Sequence, residues 1–249
     1  NTSTGAITGT APSVSADTTS NFTVTATDDE NQSTARAYSI TVTPELPSDK
    51  FKIVTYTGNG STQSITGIGF KPDFVWVKAR DRAGEWHMLS DTTRGTNSQL
   101  FSNANNAQDT KSTVITSFDS DGFSIGSDNL VNFNGADYVA WCWKANGGTT
   151  VTNTDGTITS TVQANTKAGF SIVSYTGNGS NATVGHGLSD APDMIIVKRI
   201  NASGSWNVYH SALGNNSTLI LQLNIAEIIG AGTWGITTPT SSVFTVGTG

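Results

Sequence analysis

Cysteine is nearly absent from this 249-residue chain, with Cys142 alone. No intrachain disulfide can form, which excludes the small secreted scaffolds that depend on them. Glutamate is scarce as well, confined to Glu30, Glu45, Glu85 and Glu227. Charged residues make up only 13% of the chain, and its 13 basic residues are scattered against a net charge of −6. Nucleic-acid binding leans on clustered Lys and Arg, so no nucleic-acid partner is expected. An acidic surface disfavours anionic membrane, and no apolar stretch approaches the ~18 residues of a membrane helix. No membrane insertion is expected. Long runs of strong helix formers are missing too.

What fills the chain is Gly, Thr, Ser and Asn. Thr suits pleated surfaces, and Gly and Asn suit turns. Hydrophobic residues, at 35%, are too many for the highly charged, core-poor composition of disordered chains. The bias points to an all-β protein with many turns. Cys142 lies between two tryptophans in "YVAWCWKA", and a thiol in that setting reads as a small buried hydrophobe.

Internal repetition organises the rest. "IVTYTGNGS" from Ile53 returns as "IVSYTGNGS" from Ile172, so Tyr56 recurs as Tyr175, 119 positions on. The match extends to "FKPDFVWVKAR" from Phe70 and "DAPDMIIVKRI" from Asp190, to Trp86 and Trp206, and to Phe123 and Phe244. Order and spacing agree, so the region is a tandem duplication. Copy 1 continues into "GADYVAWCWKANGG" from Gly135, and a counterpart in copy 2 is expected beyond Gly249. The chain also opens at Asn1 without Met or a signal-peptide pattern, and is expected to be a piece of something longer.

Each copy reads as short strands between turns, the rhythm of a sandwich. "FKIVTY" is a strand, and Asn59-Gly60 is expected to turn it back into "STQSITG" as a hairpin. "FVWVKAR" is expected to be a central strand buried on both faces. "TLILQLNIAEII", from Thr218, fits strand or helix. In the first fifty residues "FTVTATDDENQSTARAYSITVT" alternates cleanly and predicts a hairpin. The expected organisation is 1–45, part of a sandwich; 46–50, a linker; 51–147, repeat 1; and 148–249, repeat 2, incomplete at its C-terminal side.

Chemistry is sparse. His87, His186 and His210 stand in no metal-ligand spacing and read as structural or surface residues. "DSDG" at Asp119 and "DDEN" at Asp28 read as turns, since position twelve counted from Asp119 is Leu130 where a calcium loop needs Glu. No carboxylate run of a glycosidase appears, nor a nucleophile elbow, and "TGNG" lacks the Lys and spacing of a phosphate loop. No catalytic residue, metal or cofactor is expected, and the chain is read as not an enzyme. Trp86 and Trp206, each after a Gly-containing turn, are candidate glycan-stacking residues, with core filling as the competing role.

Two resemblances bear on function. "TGAITGT" from Thr4 and "FTVTATD" from Phe22 resemble the C-terminal half of immunoglobulin-like domains of bacterial and phage surface proteins, with Ala11 where that pattern has Pro. The duplicated part, roughly residues 50 to 249, resembles a concanavalin-like sandwich domain that recurs in tail-fibre proteins of marine bacteriophages. "FKIVTYTGNGS", "DSDGFSIGSD" and "YVAWCWKANGG" carry that resemblance. It implies a jelly-roll-like sandwich in an extracellular virion tail fibre, a homotrimer assembled with other virion tail proteins and touching host-surface polysaccharide. A bacterial cell-surface adhesin or filament is the alternative, and a polysaccharide-degrading enzyme a more distant one.

Overall fold

The computed structural model describes residues 11, 14, 16–43, 47–230, 232–235 and 237–248. The chain divides into two units, residues 1–46 and residues 47–249.

In the first unit, β1 (Thr18–Thr27) and β2 (Ser33–Val42) form an antiparallel hairpin in which Phe22 faces Tyr38. The alternation expected from Phe22 to Val42 is realised, with the two rings stacked at 5.8 Å. Asp28 shapes the turn: its Oδ1 accepts from the Glu30 and Gln32 amides, and Asn31 takes a positive φ of 64°. "DDEN" is thus an Asx-type turn. The Gly5–Thr10 part of the immunoglobulin-like pattern lies outside the described residues.

The second unit begins with a 3-10 turn, Pro47–Lys50, inside the expected linker. Copy 1 then runs through β3 (Phe51–Thr57), β4 (Gln63–Ile65), β5 (Phe74–Ala79), β6 (Met88–Asp91), β7 (Ser98–Phe101), β8 (Asp109–Thr110), β9 (Ile115–Asp119) and β10 (Gly122–Ile125). A helical turn, α1 (Asn129–Asn132), leads into β11 (Asp137–Trp143). Six strands form one antiparallel sheet in the order β3-β11-β5-β6-β7-β8, and three form another, β4-β10-β9. Their facing side chains make one core: Val75, Val77 and Tyr138 from the larger sheet, Ile65, Phe123 and Ile115 from the smaller. This is a β-sandwich.

The expected hairpin at Asn59-Gly60 does not form. β3 pairs with β11 and β4 pairs with β10, so the turn carries the chain from one sheet to the other. Gly60 has the positive φ, and Asn59 stays at negative φ with its Oδ1 accepting from the Ser61 amide. β5 is central, but it buries fully only the face of Val75, Val77 and Ala79; Phe74, Trp76 and Lys78 are half-buried. Cys142 is buried in β11, and burial pushes its thiol up to about 12.

Copy 2 contains β12 (Val151–Asn153), β13 (Ser160–Asn165), β14 (Phe170–Tyr175), β15 (Ala182–Gly185), β16 (Met194–Lys198), β17 (Trp206–His210), β18 (Ser217–Ile220), β19 (Ile228–Ile229) and β20 (Val243–Val246). The ambiguous run after Thr218 is therefore strand at both ends. β14 corresponds to β3, β15 to β4, β16 to β5, and β20 to β10. The pairings are β12-β13-β14, β15-β20 and β16-β17-β18-β19. Val173 and Val197 pack on Ala182, Val184 and Phe244, so this copy is also a two-layered sandwich.

The two copies are not separate bodies. Phe170 of copy 2 stacks on Trp143 at 5.9 Å and lies 6.1 Å from Phe74. Gln163 Nε2 donates to Thr92 and Thr93. Copy 2 covers the outer face of the six-stranded sheet, which is why β5 ends half-buried on its second side.

Candidate functional site

The loop between β5 and β6 sets out Trp86. Gly84 supplies a positive φ of 79° before it. Arg82 Nη2 pairs with Glu85 Oε1 at 2.6 Å, and the Arg82 guanidinium lies 3.8 Å from the Phe133 ring centre. The His87 amide donates to Asn103 Oδ1 at 2.9 Å, and Asn103 Nδ2 donates to the Glu85 carbonyl. These contacts hold the loop against the turn after β7. Trp86 rests on Phe101 with centroids 4.3 Å apart and stays 41% exposed.

Arg82, Glu85, His87 and the exposed Asn103 belong to the contacts that hold this loop. Burial, with the nearby Lys78 charge second, lowers the His87 pKa and favours its neutral ring. An exposed indole backed by an aromatic ring can stack on an apolar ring face.

Trp206, matched to Trp86 by sequence, lies elsewhere in chemistry. It is 4% exposed and packs with Leu89 and Leu100 of copy 1, against Phe74 and Trp76. Its Nε1 donates to the Phe101 and Ala104 carbonyls, both at 2.9 Å. The glycan-stacking role expected of Trp206 is therefore corrected: its ring is enclosed and its one donor is engaged. Both tryptophans meet Phe101, one on its ring and one on its backbone. Trp86, expected from sequence as a stacking candidate, is exposed; its support Phe101 and the bracing Asn103 come from β7 and its following turn, with no local pattern to mark them.

Other candidates are occupied by structural duties. Asp121 of "DSDG" accepts from the Gly67 and Gly69 amides, which lowers its pKa, and Asp119 accepts from Ser124 Oγ. Among the described residues no three His, Cys, Asp or Glu side chains gather as a metal site would need, and no helix is long and apolar enough to cross a membrane. A depression of about 180 Å³ beside β15 and β20, lined by Thr157, Asn181, Thr183 and Thr245, is smaller than the ~300 Å³ at which ligand pockets begin.

Comparison with protein families gives two matches. A family model described as "Domain of unknown function (DUF7483)" matches residues 46–249. A model described as "Putative Ig domain" matches residues 1–43. The first spans both copies as one stretch, in line with the single unit they form. No curated protein and no solved structure matches the chain.

Proposed function

The chain belongs to the DUF7483 family through residues 46–249, and we propose that it is a structural, receptor-binding module of a phage tail fibre that contacts host-surface glycan through Trp86. The observation that carries this reading is the exposed Trp86 ring, braced by Phe101 on a loop held by the Arg82–Glu85 pair and by Asn103. The string of β-sandwiches, the immunoglobulin-type match ahead of the duplicated unit and the sequence pattern of tail-fibre domains support the extracellular, virion-borne setting. The module works in a homotrimer with other virion tail proteins. Three copies of a weak site multiply into avidity where the geometry lets them engage together. No reaction is assigned to it.

The test is a glycan array followed by titration of the hit. Trp86→Ala is expected to weaken binding at least ~10-fold, about 1.4 kcal/mol, while the circular-dichroism spectrum stays that of a folded sandwich. Unchanged affinity in Trp86→Ala, or a protein absent from purified virions by mass spectrometry, overturns the reading.

A further inference from the structure

In copy 1, β11 lies between β3 and β5 and is antiparallel to both. Ala140 faces Val54 on one side and Val77 on the other; Trp141 faces Ile53 and Trp76. In copy 2 the corresponding strands, β14 and β16, are each the last strand of a separate sheet. Both still pack on the same core cluster, through Val173 and Val197. Met194 and Ile196 of β16 are exposed, the former at 58%. Two edges that one strand joins in copy 1 have no strand partner in copy 2 among the described residues, and open edges offer unpaired backbone groups to an incoming strand.

Three further features of copy 2 fit a partner that the described residues do not supply. Gly58 has negative φ and is needed for space: a Cβ there would fall 2.3 Å from the Phe133 carbonyl oxygen, in the turn before β11. Copy 2 keeps glycine at the matching Gly177, where a Cβ would meet nothing within 4 Å. Next, Tyr56 donates its hydroxyl to the Val131 carbonyl of α1 at 2.9 Å, whereas the Tyr175 hydroxyl finds no such carbonyl among the described residues. Last, Asp73 Oδ2 accepts from the Ala145 and Gly147 amides at 2.7 and 2.8 Å, directly after β11. Its counterpart Asp193 is exposed, and among the described residues its carboxylate accepts only from Ser211 Oγ.

We propose that one further strand inserts between β14 and β16, antiparallel to both, led in by a helical turn seated on residues 176–180. The occupant is the segment that continues copy 2 after β20, of the same type as Asn129–Gly147. In copy 1 three residues, 126–128, connect β10 to α1, and β20 is the counterpart of β10. The register follows: its equivalent of Ala140 lies between Val173 and Val197, and its equivalent of Trp141 between Ile172 and Ile196. The two amides after it bind Asp193. Insertion joins β12-β13-β14 to β16-β17-β18-β19 as one eight-stranded sheet. This inference does not depend on glycan binding.

The probe is a synthetic peptide of residues 129–147, added to the 249-residue chain. It is expected to bind one to one by calorimetry, with new hydrogen-exchange protection confined to Phe170–Tyr175 and Met194–Lys198. An Ala140→Pro peptide, which cannot donate in mid-strand, is expected to bind at least ~10-fold more weakly. Gly177→Val in the protein is expected to cut peptide affinity while leaving the melting temperature without peptide unchanged, an outcome that a merely structural glycine would not give. Absence of protection at saturating peptide overturns the proposal. So does prior protection of β14 and β16 in a dimer seen by sedimentation, since a second copy would then be the occupant.

Discussion

Copy 1 and copy 2 carry tryptophan at the same point of the repeat and put it to different uses. Trp86 leaves its ring in solvent above Phe101; Trp206 buries its ring against Leu89 and Leu100 and hands its N–H to two backbone carbonyls of copy 1. The residue and its preceding turn are shared. What differs is the neighbour: copy 2 has copy 1 to lean on, while copy 1 presents the corresponding edge to water. Duplication followed by packing thus converts one of two equivalent side chains into a seam and leaves the other exposed.

The sharpest way to break this comparison is to truncate each tryptophan. Trp206→Ala is expected to cost about 3–5 kcal/mol, the range for a buried Trp, and to strand two carbonyls. Trp86→Ala is expected to cost about 1 kcal/mol, roughly one aromatic pair. Urea denaturation of both variants checks the ratio; equal losses would mean that the two sites are alike after all.

A smaller difference is expected at the paired glycines. Gly58→Ala drives a methyl group into the Phe133 carbonyl and is expected to destabilise by about 1–3 kcal/mol, the usual cost of overpacking. Gly177→Ala meets open space and is expected to stay within about 0.5 kcal/mol of the parent. The same denaturation midpoints report it, and a loss at Gly177 as large as at Gly58 would show that the second loop is already docked.

Much of this is legible in the sequence alone. The hairpin from Phe22 to Val42 declares itself through period-two alternation, and the duplication through matched strings. The Asn59-Gly60 dipeptide signals a hairpin locally, whereas the β3–β11 pairing that overrides it joins Tyr56 to Tyr138, far apart in the chain. The burial of Trp206 is not legible for a related reason: its partners, Phe101 and Ala104, lie a whole repeat away. The Gly-containing turn that precedes Trp86 is a local signal. The ring's support on Phe101 is not.

The mildest contrast concerns acid, and it separates the copies by chemistry at one loop. In copy 1 the loop after β4 is held by the exposed Asp121 carboxylate, which accepts from the Gly67 and Gly69 amides. In copy 2 the corresponding loop is held by His186, buried, with Nδ1 accepting from the Leu188 amide and Nε2 donating to the Thr240 carbonyl. Burial lowers the His186 pKa from its ordinary 6.5, so the unfolded chain takes up a proton that the folded one refuses. Its contribution is complete above pH 6.5 and declines as pH falls below that value. The Asp121 pKa is also lowered, but in the carboxylate range and by hydrogen bonds from Gly69, then Gly67, that favour its charged form, so its contribution persists until pH falls through that range. On acidification the Leu188 amide resonance of copy 2 is therefore expected to lose protection before the Gly69 amide of copy 1. His186→Gln, which keeps a donor and an acceptor without a titrating ring, is expected to abolish the earlier step and leave the later one. Simultaneous loss at both amides, unchanged by His186→Gln, would show that the two loops answer to one shared group.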